Sequence, residues 1–76
     1  MLTLAEISLG QTTKVLAVDG PRAFRRRLLE MGLVPGTAVK VVTIAPLGDP
    51  LQIEVRGGKW SIRRAEASQI QVEATR

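Results

Sequence analysis

The sequence predicts a mainly β protein, a small antiparallel barrel or sandwich of about five short strands with one α-helix after the first strand. Its 76 residues are too few for a doubly covered parallel sheet, and they fit one domain that spans residues 1–76. Short β-branched or alternating segments recur between turn residues, and one segment alone carries an apolar stripe at helical spacing.

The N-terminal part of the chain predicts a turn, a strand and the start of the helix. Thr3-Leu4-Ala5-Glu6 matches a capping box, in which a Thr hydroxyl and a Glu carboxylate satisfy amides of one helical turn. Thr12 to Val18 is β-branched and apolar, which is typical of a strand. Pro21 suits the first helical position because it has no N–H to leave unpaired, so we expect a helix over about residues 21–31.

The helix has one apolar stripe and a marked end. Phe24, Leu28 and Met31 lie at i, i+4 and i+7, so we expect their shared face to pack on the core. Gly32 is able to adopt the positive φ of a residue just after a helix, with Leu33 returning to contact Leu28 as in a Schellman motif. The helix should therefore end at Gly32.

The C-terminal half predicts a turn and further strands. Pro35 and Gly36 suit the two central positions of a type II turn, so the next strand should begin near Thr37. The remaining strands have β-branched or alternating sequences and are residues 37–44, 51–56, 59–63 and 70–73. The loop of residues 46–50 holds two prolines and one glycine, which predicts a rigid connector rather than a phosphate cradle.

The last third of the chain predicts a hairpin, a single helical turn and a frayed end. Gly57-Gly58 predicts a tight hairpin, after which Trp60 and Ile62 share one face of a strand, and we expect the Trp60 side chain to lie in the core. Residues 64–67 are too few for more than one helical turn, and residues 74–76 should be frayed.

Composition excludes several functions. Cys and His are both absent, which removes disulfides, the common transition-metal ligands and the usual general base. The carboxylates are scattered without metal-site spacing, and the Gly-Lys-Ser/Thr ending of a nucleotide loop does not occur. No apolar run approaches the ~18 residues of a membrane span. We therefore expect no catalysis, no cofactor, no tight metal site, no direct nucleotide binding and no membrane span.

The charge of the chain indicates an acidic partner. The formal net charge is +4, and four of the 11 basic residues lie between Arg22 and Arg27. Nucleic acid, an anionic membrane surface and an acidic protein surface all fit this charge, and an ordinary solvated surface is the alternative.

Three motifs occur together, RRLLEMGLVPG at residues 26–36, APLGDP at residues 45–50 and IRRAEA at residues 62–67. In this order and spacing they closely resemble the FeoA family of small ferrous iron transport proteins, over about residues 3–73. The resemblance implies an SH3-like β-barrel in the bacterial cytoplasm, acting beside the membrane transporter FeoB and its GTP-binding domain. Gly58-Lys59-Trp60 departs from the sequence more usual in the family, which affects the surface more than the fold.

The helix arginines have different expected roles. Arg25, Arg26 and the off-stripe Leu29 are the candidate partner-binding residues. Arg27 lies nearer the stripe, and we expect its guanidinium to brace the helix against the 46–50 loop with Asp49 as acceptor. The other motif residues are expected to be structural: Leu28, Met31, Gly32, Leu33, Pro35 and Gly36.

The expected function is that of a non-catalytic accessory protein of bacterial ferrous iron uptake. It would dock on the cytoplasmic part of a FeoB-like transporter and modulate its assembly or GTP-driven activity. The sequence does not show whether that partner recruits the protein to the inner face of the membrane. It also does not show whether the protein self-associates. The alternative is a basic SH3-like module for nucleic-acid binding or regulation, and a ferrous-iron carrier is a third hypothesis.

Overall fold

The computed structural model describes residues 2–73. A 3₁₀ turn at Leu4–Glu6 precedes β1 (Thr12–Val18), α1 (Arg22–Met31), β2 (Ala38–Ile44), β3 (Leu51–Val55), β4 (Gly58–Ile62), α2 (Arg64–Ala67) and β5 (Ile70–Val72). The five strands form one antiparallel sheet in the order β4-β3-β2-β1-β5. The predicted fold class, strand number and helix position are confirmed. The expected frayed end at residues 74–76 lies outside the described residues.

One hydrophobic core is shared by all five strands and α1. Strict alternation places every second residue of β3 inside, and these are Leu51, Ile53 and Val55. From α1, Leu28 is fully buried, while Phe24 and Met31 are half-buried against the same core. The predicted apolar stripe therefore joins the helix to the sheet, and it leaves the other helix flanks open.

α1 ends as the sequence predicts. Gly32 has a φ of +96°, and the Leu33 N–H donates to the Leu28 carbonyl over 3.0 Å, which is the long hydrogen bond of a Schellman motif. Leu28 and Leu33 are both buried, so the apolar contact of that motif lies in the core. The helix start differs by one position, because Pro21 has an extended ψ of 153° and lies at the N-cap.

The chain then reverses through the predicted type II turn. Gly36 has a φ of +91°, and the Thr37 N–H donates to the Val34 carbonyl over 3.0 Å. The Gly36 N–H also donates to the Val15 carbonyl of β1 over 2.7 Å. The turn is thereby fixed to the sheet, which places Pro35 beside the end of α1.

The β3–β4 hairpin turns one residue earlier than the two glycines suggest. Val55 pairs with Gly58, so the turn residues are Arg56 and Gly57, with φ values of +51° and +81°. Two successive positive φ values are typical of the type I′ turn, whose twist matches that of the flanking strands. In this register Ile62 pairs with Leu51, which brings two buried residues together.

The expectation that Trp60 lies in the core is wrong. The Trp60 side chain is 41% exposed, although Ile62 on the same strand is buried. β4 is an edge strand with β3 as its neighbour, so a large side chain at its middle is covered from one side. Trp60 lies instead in an open groove that Met31 of α1 also lines.

Candidate functional site

A groove of about 620 Å³ runs along the flank of α1 that faces away from α2. We term it the arginine groove, and its lining residues are Val18, Arg22, Arg25, Arg26, Leu29, Leu33 and Pro35. The end of β1 supplies its first wall, α1 supplies the second, and the turn that follows α1 closes one end. The volume is within the range of sites that hold a small ligand or the side chains of a partner.

The arginine groove brings together the three residues that the sequence singles out for partner binding. Arg25, Arg26 and Leu29 all line it, and Leu29 is 58% exposed. Sequence reasoning missed Arg22, although it lies one helical turn before Arg25 and Arg26 and the helical period indicates the same flank. It also missed Val18, because the approach of β1 to this flank depends on the tertiary fold.

The charged side chains that line the arginine groove are all positive. Arg22, Arg25 and Arg26 are all exposed, and none of them forms an ion pair with a carboxylate of residues 2–73. No carboxylate is among the lining residues that the structure describes. Three unpaired guanidinium groups around apolar surface attract an anionic partner and favour one that also offers apolar side chains.

Arg27 turns away from this groove, and its predicted acceptor was wrong. Its guanidinium donates to the Glu66 carboxylate of α2 and lies 5.6 Å from the centre of the Phe24 ring. Asp49 instead accepts the Arg64 backbone N–H over 3.1 Å. Arg27 braces α1 against α2 because its flank of the helix faces α2 rather than the 46–50 loop.

Arg64 is the arginine that secures the 46–50 loop. Its Nε donates to the Gly48 carbonyl over 2.7 Å, and a terminal nitrogen donates to the Ala5 carbonyl over 2.6 Å. One side chain thus joins the loop, α2 and the N-terminal 3₁₀ turn. Asp49 and Arg64 are therefore parts of the scaffold, and neither of them lines the arginine groove.

The pKa of the Glu66 carboxyl is lowered from its ordinary value. The Arg63 backbone N–H donates to its carboxylate over 2.9 Å, and this hydrogen bond is the main cause that lowers the pKa. The Arg27 guanidinium lowers the pKa further. The shift reflects a capping and bracing role, since both donors belong to the scaffold.

No group of three or more carboxylates is close enough to hold a metal ion within residues 2–73. No helix in that part of the chain combines the length and the apolar character needed to cross a bilayer.

Comparison with known proteins agrees with the fold and with the motifs of α1. The model of the FeoA domain family matches residues 2–74. A fusion protein of Fe(2+) transport protein A with the Fe(2+) transporter FeoB, from Porphyromonas gingivalis, is 39% identical over 72 residues, which are 95% of this chain. Those residues span only 8% of that relative's length.

Solved structures of similar proteins share the whole fold. FeoA from Chlorobium tepidum is 41% identical with a TM-score of 0.89, over 93% of this chain and 68% of that one. FeoA from Stenotrophomonas maltophilia, solved in complex with zinc and described as a prokaryotic SH3 domain protein, is 32% identical with a TM-score of 0.85. That match covers 96% of this chain and 91% of the other. The five-stranded fold is thus an SH3-like barrel, and the chain belongs to the FeoA domain family.

Proposed function

We propose that this protein is a non-catalytic accessory protein of ferrous iron uptake that works in the bacterial cytoplasm. It docks through the arginine groove on the cytoplasmic part of a FeoB-like transporter and modulates the assembly or the GTP-driven activity of that transporter. Arg25, Arg26 and Leu29 make the main contacts, and Arg22 adds a third cation to the same surface.

The observation that carries this proposal is the chemistry of the arginine groove. It combines three unpaired arginines with the exposed side chain of Leu29 and with Val18 and Pro35. Protein interfaces commonly pair an apolar centre with arginines at or near it, because a guanidinium both stacks and donates several hydrogen bonds. The groove therefore fits a protein partner that presents carboxylates around an apolar side chain.

The choice of partner rests on the relatives. In the Porphyromonas gingivalis fusion protein, a unit similar to this chain and a FeoB transporter share one polypeptide. Covalent fusion keeps two domains at a high local concentration, which is useful only when the two work together. We infer the same pairing for this chain.

The arginine groove suits a protein better than nucleic acid. Single-stranded nucleic acid is held by aromatic side chains that stack on the bases as well as by basic residues. No aromatic residue lines the arginine groove, and Trp60 lines the groove on the other flank of α1. A basic patch without a stacking platform offers contacts to phosphates alone.

Co-purification with the cytoplasmic domain of a FeoB-like transporter, with and without guanine nucleotide, tests the proposal. The test variant carries Arg25→Glu together with Leu29→Glu, which reverses one charge and removes the exposed apolar side chain of the groove. The matched control carries Lys40→Glu with Leu47→Glu, since Lys40 is exposed and Leu47 is 96% exposed outside the groove.

The expected result is that the control variant stays with the transporter domain and the groove variant is lost from it. Both variants should keep the thermal midpoint of the unchanged protein within a few degrees, because all four positions are exposed. A folded groove variant that still co-purifies would contradict this docking surface.

A further inference from the structure

A second groove lies between α1 and the edge strand β4. We term it the tryptophan groove, and it has a volume of about 740 Å³. Trp60, Ser61, Ile62 and Arg63 line it in succession. Successive side chains of a strand point to opposite faces of the sheet, so a groove on one face would contact only every second residue. Contact with four consecutive residues indicates that the groove runs along the free edge of β4.

The pairing of β4 leaves backbone groups free along that edge. β4 pairs with β3, and no other strand of residues 2–73 lies beside it. In a two-residue hairpin the pair next to the turn, here Val55 and Gly58, is hydrogen-bonded, and hydrogen-bonded pairs then alternate. Trp60 therefore turns its N–H and C=O toward β3, while Lys59 and Ser61 turn theirs outward.

Apolar surface accompanies these free backbone groups. Trp60 is 41% exposed, and Met31 of α1 and the buried Ile62 line the same groove. A short edge strand with a lysine, such as Lys59, is an ordinary protection against unwanted pairing. An exposed tryptophan at the centre of that strand works against such protection, and it suits binding because an indole offers a large rigid contact.

Charge decides which kind of strand fits beside β4. Lys59 precedes Trp60 in β4, so it lies on the opposite face of the strand from the indole. A neighbouring strand with a carboxylate near Lys59 would form a favourable cross-strand pair. Glu30 and Glu66 line the tryptophan groove together with Trp60, so apolar side chains of that strand fit the groove better than carboxylates do. A second copy would instead bring its own Lys59 and its net charge of +4 to this edge, which disfavours self-pairing.

We propose that the edge of β4 binds an extended segment of another protein by strand addition, and that this segment alternates apolar and acidic side chains. Its backbone exchanges hydrogen bonds with the N–H and C=O groups of Lys59 and Ser61. One apolar side chain rests on Trp60 and Met31 in the groove, and a carboxylate on the other face of the segment lies near Lys59. The site is separate from the arginine groove and does not depend on the proposed docking to a transporter.

The sole tryptophan of the chain makes the test specific, because any change in its emission reports on Trp60. The probe is a blocked synthetic peptide of alternating valine and glutamate residues with one central leucine. Its matched control has the same side chains but is N-methylated at every residue, so neither of its edges is able to donate hydrogen bonds to an edge strand. We expect a saturable shift of the Trp60 emission to shorter wavelength with the first peptide and none with the second.

Amide hydrogen exchange followed by NMR tests the pairing residue by residue. The Lys59 and Ser61 amides should exchange fast in the free protein and become protected in the complex, whereas the Trp60 amide should be protected in both. Ser61→Pro removes an outward N–H without removing a bond to β3, and it should weaken peptide binding about tenfold or more. Ser61→Ala is its control and should bind as the unchanged protein does.

Several outcomes would overturn the proposal. Equal binding of the N-methylated peptide, or a shift in Trp60 emission without protection of Lys59 and Ser61, would exclude strand addition. No saturable shift at the highest soluble peptide concentration would exclude the stated ligand. Protection of the two amides in the protein alone, with the mass of a dimer, would mean that a second copy occupies the edge. If Ser61→Pro unfolds, the titrations of the unchanged protein with the two peptides and its amide exchange data still test strand addition.

Discussion

The Arg27 guanidinium donates to the Glu66 carboxylate and so joins α1 to α2 across 39 positions of the sequence. The same carboxylate accepts the Arg63 N–H at the start of α2 over 2.9 Å. Glu66 therefore caps one helical turn and anchors the helix that carries the arginine groove. This anchoring uses the fourth arginine of the helix cluster and leaves Arg22, Arg25 and Arg26 for a partner.

A double-mutant cycle on Arg27→Ala and Glu66→Gln should give a small coupling free energy. The Arg27 side chain is 55% exposed, so solvent screens the pair, and we expect coupling of about 0.3–1 kcal/mol at neutral pH. Urea unfolding of the four proteins measures it. Coupling that is absent within error would show that the pair adds no stability. Any destabilisation by Glu66→Gln would then come from the weaker hydrogen bond that the Arg63 N–H makes with a neutral acceptor.

The lowered pKa of Glu66 predicts a specific pH dependence of stability. Because the pKa is lower in the folded protein, the carboxylate stabilises the fold above the ordinary glutamate pKa of about 4.3, and this contribution is lost as the pH falls through the lowered folded value. The unfolding free energy of Glu66→Gln should therefore differ most from that of the unchanged protein at neutral pH, and the difference should shrink in acid. Urea unfolding from about pH 7 to pH 3 measures this convergence.

Arg27→Met separates the two causes of that shift. It removes the guanidinium but keeps the Arg63 hydrogen bond, which is the larger cause, so most of the acid-dependent stability should remain. A pH profile of Arg27→Met that coincides with that of Glu66→Gln would assign the shift to the ion pair instead.

Arg64 should be the most sensitive of the exposed or half-buried arginines. Arg64→Ala removes the hydrogen bonds to the Gly48 and Ala5 carbonyls, and we expect a loss of roughly 2–3 kcal/mol because both bonds have a charged donor. Arg63→Ala is the neighbouring control, since its side chain is exposed, and it should cost less than about 0.5 kcal/mol. Thermal or urea unfolding compares them, and equal losses would remove the special role given to Arg64.

The end of α1 should require glycine for its backbone conformation. Gly32 has a φ of +96°, and a Cβ built on it would lie 3.2 Å from the Arg56 Cδ. The Arg56 side chain is flexible and able to move, so the backbone sets the cost, and Gly32→Ala should lose about 1–2 kcal/mol. Gly32→Asn should lose less, because Asn tolerates the left-handed region better. Unfolding free energies in which Asn is worse than Ala would mean that the contact with Arg56 dominates.

Much of this fold follows from local sequence. The alternation in residues 51–55, the Leu28-Gly32-Leu33 helix end and the Pro35-Gly36 turn depend on neighbours a few positions apart, and the structure places them as predicted. Arg25, Arg26 and Leu29 share a groove for the same reason, because the helical period fixes their common flank.

What the sequence did not predict depends on distant parts of the chain. Arg27 meets Glu66, and Arg64 reaches Ala5 across 59 positions, only because the tertiary fold brings α2 beside α1 and the N-terminal turn. Trp60 and Ile62 lie on the same face of β4, and alternation predicts that both side chains point inward. The exposure of a side chain on an edge strand, however, depends on which other elements pack against that edge. Neither the alternation of apolar residues nor their β-propensity shows which elements pack against an edge strand.

The central claim is that the arginine groove is the surface that binds a FeoB-like transporter. Calorimetric titration of this protein with the isolated cytoplasmic domain of such a transporter tests it most directly, in parallel with the Arg25→Glu/Leu29→Glu and Lys40→Glu/Leu47→Glu variants. We expect the groove variant to bind at least about a hundredfold more weakly, the loss of two contacts of about 1.4 kcal/mol each, and the control variant to bind within about twofold of the unchanged protein. Equal affinity of the two folded variants would contradict the account.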